Sequence, residues 1–355
     1  MKPIVNSLHF GSVPVGGDAP PVLLPDIDMF FNRDLELAEH VVRTLVDAGV
    51  NVLKGAVIHR ADIALDDGTL EEYYDPKVGM VSENYRALME RKVMTFDEHE
   101  SLFRLCQGLG PELVLSVYDT EGAQFAKDVG ACALKIPSSN ITHEPLIRDV
   151  AGIGLPVIID TGKSNMEEIS RAVQWFRDAD GRELLIEHSP EAPPAPLANH
   201  NLRMMLALQH AFDVPVGLSC HHAGNEMMYA AVALGASIIE KGVCADDAPI
   251  DQDVHHAIRV GDVGDMWRKC LNIHHALGEP GRYLRRDRDK PKARMGLVAK
   301  RSVVAGEKVG PETVDFAFPS AGISTEHWST VEGWDFKFDL TAGQVINWHD
   351  LDTTA

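Results

Sequence analysis

Short apolar runs alternate along this chain with longer stretches in which apolar residues recur at helical spacing. Each of eight runs rich in Val, Ile and Leu is followed by such a stretch, a pattern typical of parallel βα units. The runs begin at Pro21, Asn51, Glu112, Cys132, Pro156, Glu183, Pro215 and Ser237. Eight units fit a closed barrel better than an open doubly wound sheet, so the sequence predicts a (β/α)8 TIM barrel.

One connection in this pattern is much longer than the others. It covers residues 59–92 and joins the second strand to the helix of the same unit. A loop of this length is usually functional, as a lid or an interface, and an inert excursion is the alternative. Helices are predicted over residues 34–47, 121–129, 166–176, 224–234 and 263–277.

The apolar periodicity ends after residue 278, which marks a domain boundary. Residues 279–294 are rich in charge, Gly and Pro and have no periodic apolar face, as is typical of a linker. From residue 295 the pattern changes to short β-like pieces broken by turns. The sequence therefore predicts a barrel domain over residues 1–278 and a small β-rich domain over residues 295–355.

Charge and composition exclude several classes of function. The formal net charge of −20 over 355 residues argues against nucleic acid and anionic membranes as partners. The five cysteines are scattered without CxxC spacing, so neither a disulfide framework nor a thiolate zinc site is expected. The N-terminal segment MKPIVNSLHFG has no signal-like apolar run, and no stretch is long enough for a membrane helix. We expect a soluble cytoplasmic protein.

Four segments together resemble the sialic acid synthase family, which includes spore coat polysaccharide biosynthesis members. They are KIPSSNITHEPLI at 135–147, GLSCHH at 217–222, AVALGASIIEKG at 231–242 and AKRSVVAGEKV at 299–309. The resemblance implies a TIM barrel followed by a small antifreeze-like (SAF) domain of the β-clip type. It also implies a homodimer in which this domain caps the partner's barrel.

The resemblance further implies a reaction. Phosphoenolpyruvate would condense with an N-acyl hexosamine-like aldehyde, with a divalent metal such as Mn or Mg, to give a nine-carbon 2-keto sugar. The product would serve surface or spore-coat polysaccharide biosynthesis. The acceptor sugar and the identity of the metal are left open by the sequence.

Three residues are candidates for binding the anionic donor. Lys54 and Lys135 lie within or at the end of predicted strands, where the mouth of a barrel collects its ligands. Both match phosphoenolpyruvate-binding lysines of the family, and Ser138 matches a phosphate-binding serine. The alternatives are structurally salt-bridged lysines, a turn-forming hydroxyl, and a Schiff-base nucleophile at Lys135.

The resemblance also assigns acids and a metal ligand. The catalytic carboxylates correspond to Asp26 and Asp253. The metal is held in the family by two histidines, of which the first corresponds to His221 and the second to Gly242. We therefore predict a weakly bound ion at His221, with the second ligand replaced by one of His222, His255, His256, Glu240 or water.

Several expected residues are altered, which leaves a second function open. Besides Gly242, Glu191 stands in a phosphate-contacting loop, and Phe318 replaces an arginine that reads the N-acyl group in the family. The alternative to a synthase is accordingly a divergent relative without synthase activity, either a sugar-binding protein or a different lyase or aldolase.

Overall fold

A computed structural model describes most of the chain. The described residues are 7–27, 34–75, 78–190, 196–245, 248, 254–278 and 293–353. They fall into two compact units, Met1–Gly278 and Glu279–Ala355. No helix within these ranges is both long enough and apolar enough to cross a lipid bilayer.

Eight parallel strands of the first unit form a closed barrel, which confirms the predicted fold and all eight predicted strand positions. Each strand pairs with its neighbours in parallel, and the ring closes where the seventh strand of the barrel pairs with the eighth and the eighth with the first. The barrel strands are β3 (Val22–Asp26), β4 (Val52–Val57), β7 (Glu112–Val117), β8 (Ala133–Ile136), β9 (Val157–Asp160), β10 (Leu184–His188), β11 (Val216–Cys220) and β12 (Ile238–Cys244).

Helices follow the barrel strands and cover the outer face of the sheet. Most of their buried residues form one large apolar cluster with the outward-facing residues of the strands, and those of the helix over residues 85–92 belong to a smaller cluster. The ends of several helices are fixed by side-chain caps, such as the capping boxes Thr95 with Glu98 and Asn165 with Glu168. The helices are α1 (Leu35–Asp47), α2 (Tyr85–Lys92), α3 (Phe96–Gly108), α4 (Thr120–Asp128), α5 (Glu144–Ile153), α6 (Met166–Asp178), α7 (Met204–Phe212), α8 (Glu226–Ala233) and α9 (Val263–Leu277).

An N-terminal hairpin packs against the amino-terminal end of the barrel. Its strands, β1 (Leu8–Phe10) and β2 (Val13–Val15), pair in antiparallel fashion and bury Phe10 among the first inward-facing residues of the barrel strands. The turn requires glycine, because Gly11 has φ +57° and a Cβ there would lie 2.2 Å from the Glu112 side chain. Apolar packing therefore closes this end, and the opposite end is left for polar chemistry.

The long connection at residues 59–92 contains its own secondary structure. The strands β5 (Leu70–Asp75) and β6 (Gly79–Asn84) form an antiparallel hairpin, and α2 follows directly. One face of the hairpin carries exposed apolar side chains, including Tyr74 and Met80, which pair across the two strands. The connection is thus an ordered excursion from the barrel.

The second unit is small and rich in short strands, as the sequence predicts. Its core is a single cluster that includes Leu297, Ile323 and Phe336. The elements are β14 (Gly296–Ala299), β15 (Val314–Ala317), α10 (Trp328–Val331), β16 (Asp335–Phe336) and β17 (Leu351–Asp352), and a further short strand of the first unit, β13 (Ile258–Arg259), lies beside β12.

Candidate active site at the carboxyl ends of the barrel strands

A layer of polar side chains crosses the inside of the barrel. Side chains alternate between the two faces of a strand, so residues two apart point the same way. On every barrel strand the inward position near the middle is apolar or Gly, and the inward position two residues later is polar. The polar residues are Asp26, Lys54, Ser116, Lys135, Asp160, Glu187, Ser219 and Glu240.

Lys135 lies at the centre of this layer and contacts three carboxylates from three other strands. Its Nζ is 2.6 Å from Glu240 Oε1, 2.7 Å from Glu187 Oε2 and 3.0 Å from Asp160 Oδ2. Its side chain is 3% exposed and that of Glu187 is 0% exposed. We call these four residues the acid–lysine cluster. Its ions are removed from water and depend on one another for stabilisation.

The protonation of the cluster is uneven. Burial, reinforced by repulsion from Glu240, raises the pKa of Glu187 to about 8. Burial acts in the same direction on Glu240, but attraction by Lys135 and Lys54 outweighs it and holds the pKa of Glu240 at about 2. Burial alone would lower the pKa of Lys135, but the surrounding carboxylates raise it well above its ordinary value. At neutral pH Lys135 is therefore charged, Glu240 is ionised and Glu187 keeps its proton.

Lys54 and Asp26 form a second ion pair in the same layer. Lys54 Nζ donates to Asp26 Oδ2 at 2.5 Å and lies 3.9 Å from Glu240 Oε1. The two residues are opposite each other in the register of β3 and β4, which explains the contact. The structure thus brings together Asp26, Lys54 and Lys135, three of the residues that the sequence singles out.

A pocket lined by hydroxyl groups opens beside the carboxyl ends of β8 and β9. Ser138, Thr142, Ser164 and Ser189 line it together with the cation Lys163, and its remaining lining residues are Ser139, Ile141, Gly162, Glu168, Pro190 and His221. We call it the hydroxyl pocket. Hydroxyls and an ammonium group are donors suited to the oxygens of a phosphate or carboxylate.

Two neighbouring loops form the hydroxyl pocket and pack closely on each other. A Cβ on Gly162 would lie 3.0 Å from both Cβ and Oγ of Ser138, so glycine permits this approach. The loop after β9 is tied down at Thr161, whose N–H and hydroxyl both donate to the Glu187 carbonyl, at 3.0 and 2.8 Å. Gly162 N–H donates to Asp160 Oδ1 at 2.9 Å. The pocket is thus anchored to the acid–lysine cluster.

Histidines collect beside this pocket. The ring of His221 lies perpendicular to that of His256, with 4.8 Å between the ring centroids. His222 instead pairs with Glu226, with 3.3 Å between Nε2 and Oε2. His188 is engaged elsewhere, because its Nε2 lies 2.6 Å from the His200 carbonyl oxygen. His256 is therefore the described histidine that lies next to His221.

Comparison with known proteins identifies the family to which this chain belongs. A sequence profile of the NeuB family matches residues 41–282, and a profile of the SAF domain matches residues 294–352. The chain belongs to the NeuB family. An N,N'-diacetyllegionaminic acid synthase of Legionella pneumophila is 24% identical over 349 residues, which cover 96% of this chain and 98% of that protein.

Solved structures show the same fold. The sialic acid synthetase of Leptospira borgpetersenii, in complex with citrate, superposes with a TM-score of 0.71 at 22% identity, covering 81% of this chain and 95% of that one. The spore coat polysaccharide biosynthesis protein SpsE of Bacillus subtilis superposes with a TM-score of 0.65 at 21% identity, covering 99% and 100%.

Two groups of residues in this structure are candidates for holding a metal ion. Within the described part of the chain, one group of three or more metal-ligating side chains lies close enough to hold an ion: Asp160, Glu187 and Glu240, with ligand atoms within 4.8 Å of one another. Lys135 contacts all three, so the cation that this group holds in the structure is an ammonium.

The second place is His221, where the sequence predicts the ion. Gly242 offers no ligand, and His256 brings a second imidazole to His221 from a different segment. Two imidazoles at this spacing can share one ion, with water or substrate oxygens at the other positions, so the residues fit a weak site.

Sequence reasoning located part of this site and missed part. Asp253, the other predicted acid, and Glu191 lie outside the described residues. Asp160, Glu187 and Lys163 were missed. The sequence did contain a signal for Asp160 and Glu187. Each stands two positions after an apolar inward residue on a buried strand, and Lys54 and Lys135 follow the same pattern.

Proposed function

We propose that this chain condenses phosphoenolpyruvate with an N-acyl hexosamine-like aldehyde to form a nine-carbon 2-keto sugar. The observation that carries the proposal is the convergence of two lysines, four carboxyls and a hydroxyl pocket at the carboxyl ends of the strands, in a member of the NeuB family. That end is where TIM-barrel enzymes place their active sites.

The atoms balance without a further reactant. C3 of phosphoenolpyruvate attacks the aldehyde carbon, water adds at C2, and inorganic phosphate leaves with the bridging oxygen of the donor. The aldehyde oxygen gains a proton and becomes a hydroxyl, and C2 becomes the keto group. The enzyme must hold an anion, supply a proton and activate a water, which are tasks for cations, acids and bases in fixed positions.

We assign donor binding to Ser138, Lys54 and Lys135. Ser138 presents its hydroxyl to the phosphate, and Lys54 and Lys135 supply positive charge at the floor of the site. An anion that contacts Lys135 directly would have to displace one of its three carboxylates. Its contribution is therefore electrostatic and acts from within the acid–lysine cluster.

We assign proton transfer to Asp26 and Asp253. Asp26 is 18% exposed and paired with Lys54, so its carboxyl group is held in place and accessible for proton transfer to or from water. A divalent ion such as Mn or Mg, held by His221 and His256, would polarise the aldehyde oxygen when bound.

Three further proposals follow from family membership. We propose that the protein acts in the cytoplasm, where phosphoenolpyruvate is available, and that its product enters surface or spore-coat polysaccharide. We also propose a homodimer in which the C-terminal unit covers the partner's barrel. Exposed aromatic side chains on that unit, Phe316, Phe318 and Trp348, support an interface there.

The test is phosphate release from phosphoenolpyruvate labelled with ¹⁸O at the bridging oxygen, against a panel of N-acyl hexosamines with and without manganese. We expect acceptor-dependent release with the label in the phosphate, and little release by Asp26→Asn. Release of unlabelled phosphate, from cleavage of the bond between phosphorus and the bridging oxygen, would indicate simple phosphatase activity. No acceptor-dependent release with any sugar would refute the proposal.

A further inference from the structure

The lysines that the family resemblance assigns to the donor are both neutralised by carboxylates. Lys135 contacts Glu240, Glu187 and Asp160, and Lys54 contacts Asp26. A phosphate that contacts the Nζ atom of either lysine would lie close to at least one carboxylate that contacts the same Nζ. The negative charges of the phosphate and the carboxylate would repel each other. An unpaired cation would therefore add to the positive charge that Lys54 and Lys135 supply from the floor of the site.

Lys163 is such a cation. It is exposed on the loop after β9, lines the hydroxyl pocket, and makes no ion pair or side-chain hydrogen bond with any residue that the structure describes. It also lines the adjoining cleft, which extends toward Arg203 and Asn201. Among the described lining residues the one carboxylate is Glu168, which accepts a hydrogen bond from Asn165 N–H at 2.9 Å in a helix cap. Lys163 is thus the lysine or arginine that lines the hydroxyl pocket within the described part of the chain.

The hydroxyls of this pocket are also available to a ligand. Within the described residues, Ser138, Thr142 and Ser189 have no side-chain hydrogen bond, and Ser189 is 8% exposed. Ser138 is held against Gly162 by the close approach of the two loops, which places its hydroxyl next to the residue that precedes Lys163. Hydroxyl donors around one ammonium make a site for the oxygens of a phosphate.

The backbone of Lys163 determines which replacement is suitable there. Its φ is +55°, in the left-handed region where glycine is favoured. Glycine at position 163 therefore removes the side chain without straining the loop.

We propose that Lys163, with the hydroxyls of Ser138, Thr142 and Ser189, binds the phosphate of the anionic donor. The proposal rests on the proposed function for the identity of the donor, and on the pocket alone for its phosphate chemistry. Lys163 is then a specificity-determining residue that selects a phosphorylated donor, and the acid–lysine cluster supports the floor beneath it.

The experiment measures binding of inorganic phosphate and of phosphoenolpyruvate by calorimetry to the wild type, Lys163→Gly, Lys163→Arg and Lys127→Met. Glycine suits a positive φ, so Lys163→Gly should fold as well as the wild type and keep its urea midpoint. We expect the dissociation constant of both ligands to rise about ten- to a hundred-fold in Lys163→Gly, the scale of a lost charge-assisted contact. Lys163→Arg should bind within about three-fold of the wild type.

Lys127→Met is the matched control, because Lys127 is an exposed lysine on α4 outside the pocket. It should leave both dissociation constants unchanged. Equal phosphate binding by the wild type and Lys163→Gly overturns the inference, as does a wild type that binds no phosphate. Turnover with an unchanged KM for phosphoenolpyruvate in Lys163→Gly would reject this site and leave the synthase reaction standing. Lys163-dependent phosphate binding without any turnover would support the site and reject the synthase reaction.

Discussion

Replacing Glu187 by glutamine should remove a pH-dependent loss of stability from this protein. Glu187 is fully buried against Lys135, and burial raises its pKa to about 8. At neutral pH its side chain is a neutral acid, so glutamine is close to it in shape and charge. The amide oxygen can still accept a hydrogen bond from the Lys135 ammonium.

Whether stability rises or falls with pH depends on how many protons the folded and unfolded states bind. In the unfolded chain Glu187 titrates near its ordinary value of 4.5, and in the folded protein near 8. Between these values the folded state binds more protons, so stability is fully present below about pH 4.5 and falls as pH rises through about 8. At about 1.4 kcal/mol per pH unit, this residue should cost about 3 kcal/mol of stability between about pH 5.5 and about pH 8.5.

The assay is urea unfolding followed by circular dichroism at the helix band, because α1 to α9 belong to the barrel unit. The pH-dependent loss should be smaller in Glu187→Gln than in the wild type by that amount. Glu240→Gln is the control, since Lys135 and Lys54 hold the pKa of Glu240 at about 2 and its charge neutralises Lys135. It should destabilise the protein at every pH by about 3 kcal/mol or more. Equal pH dependence in the wild type and Glu187→Gln would refute the assignment of the proton to Glu187.

Other variants test the remaining structural statements. Lys135→Met should lower the free energy of unfolding by about 3–5 kcal/mol, because it leaves ionised carboxylate buried without its partner; a urea midpoint like that of the wild type would contradict the acid–lysine cluster. His221→Ala should abolish manganese binding measured by water-proton relaxation, while His222→Ala, whose ring pairs with Glu226, should bind as the wild type does; equal binding by both would reject the metal site. Gly217→Ala should destabilise the barrel by about 2 kcal/mol or more, since its Cβ would lie 2.2 Å from Ile238 Cγ1, whereas Gly152→Ala on α5 has open space and should be neutral or stabilising. Similar denaturation midpoints for these two glycine variants would show that the packing of β11 against β12 is looser than the structure indicates.

The sequence by itself determined the barrel and the positions of its strands. A parallel strand buried on both faces is a continuous apolar run, and its helix has apolar spacing of the helical period, so both signals lie within a few neighbouring residues. The run that begins at Asn51 became β4, and the stretch 263–277 became α9 with the same bounds. Lys54 and Lys135 were recognisable for the same local reason, as charges inside apolar runs.

Only the tertiary structure decided which of these charges meet. Lys135 and Glu240 are separated by 105 positions in the chain, and their contact exists because the closed barrel points both side chains into the same interior layer. The local pattern shows that a residue points inward, but not which strands face each other across the barrel. The consequence is chemical, because Lys135 is surrounded by three carboxyl groups that include the ionised Glu240, while Lys163, on a loop that carries no periodic signal, lines the hydroxyl pocket. Contacts between distant strands are fixed by closure of the whole sheet, and no short window of sequence contains that information.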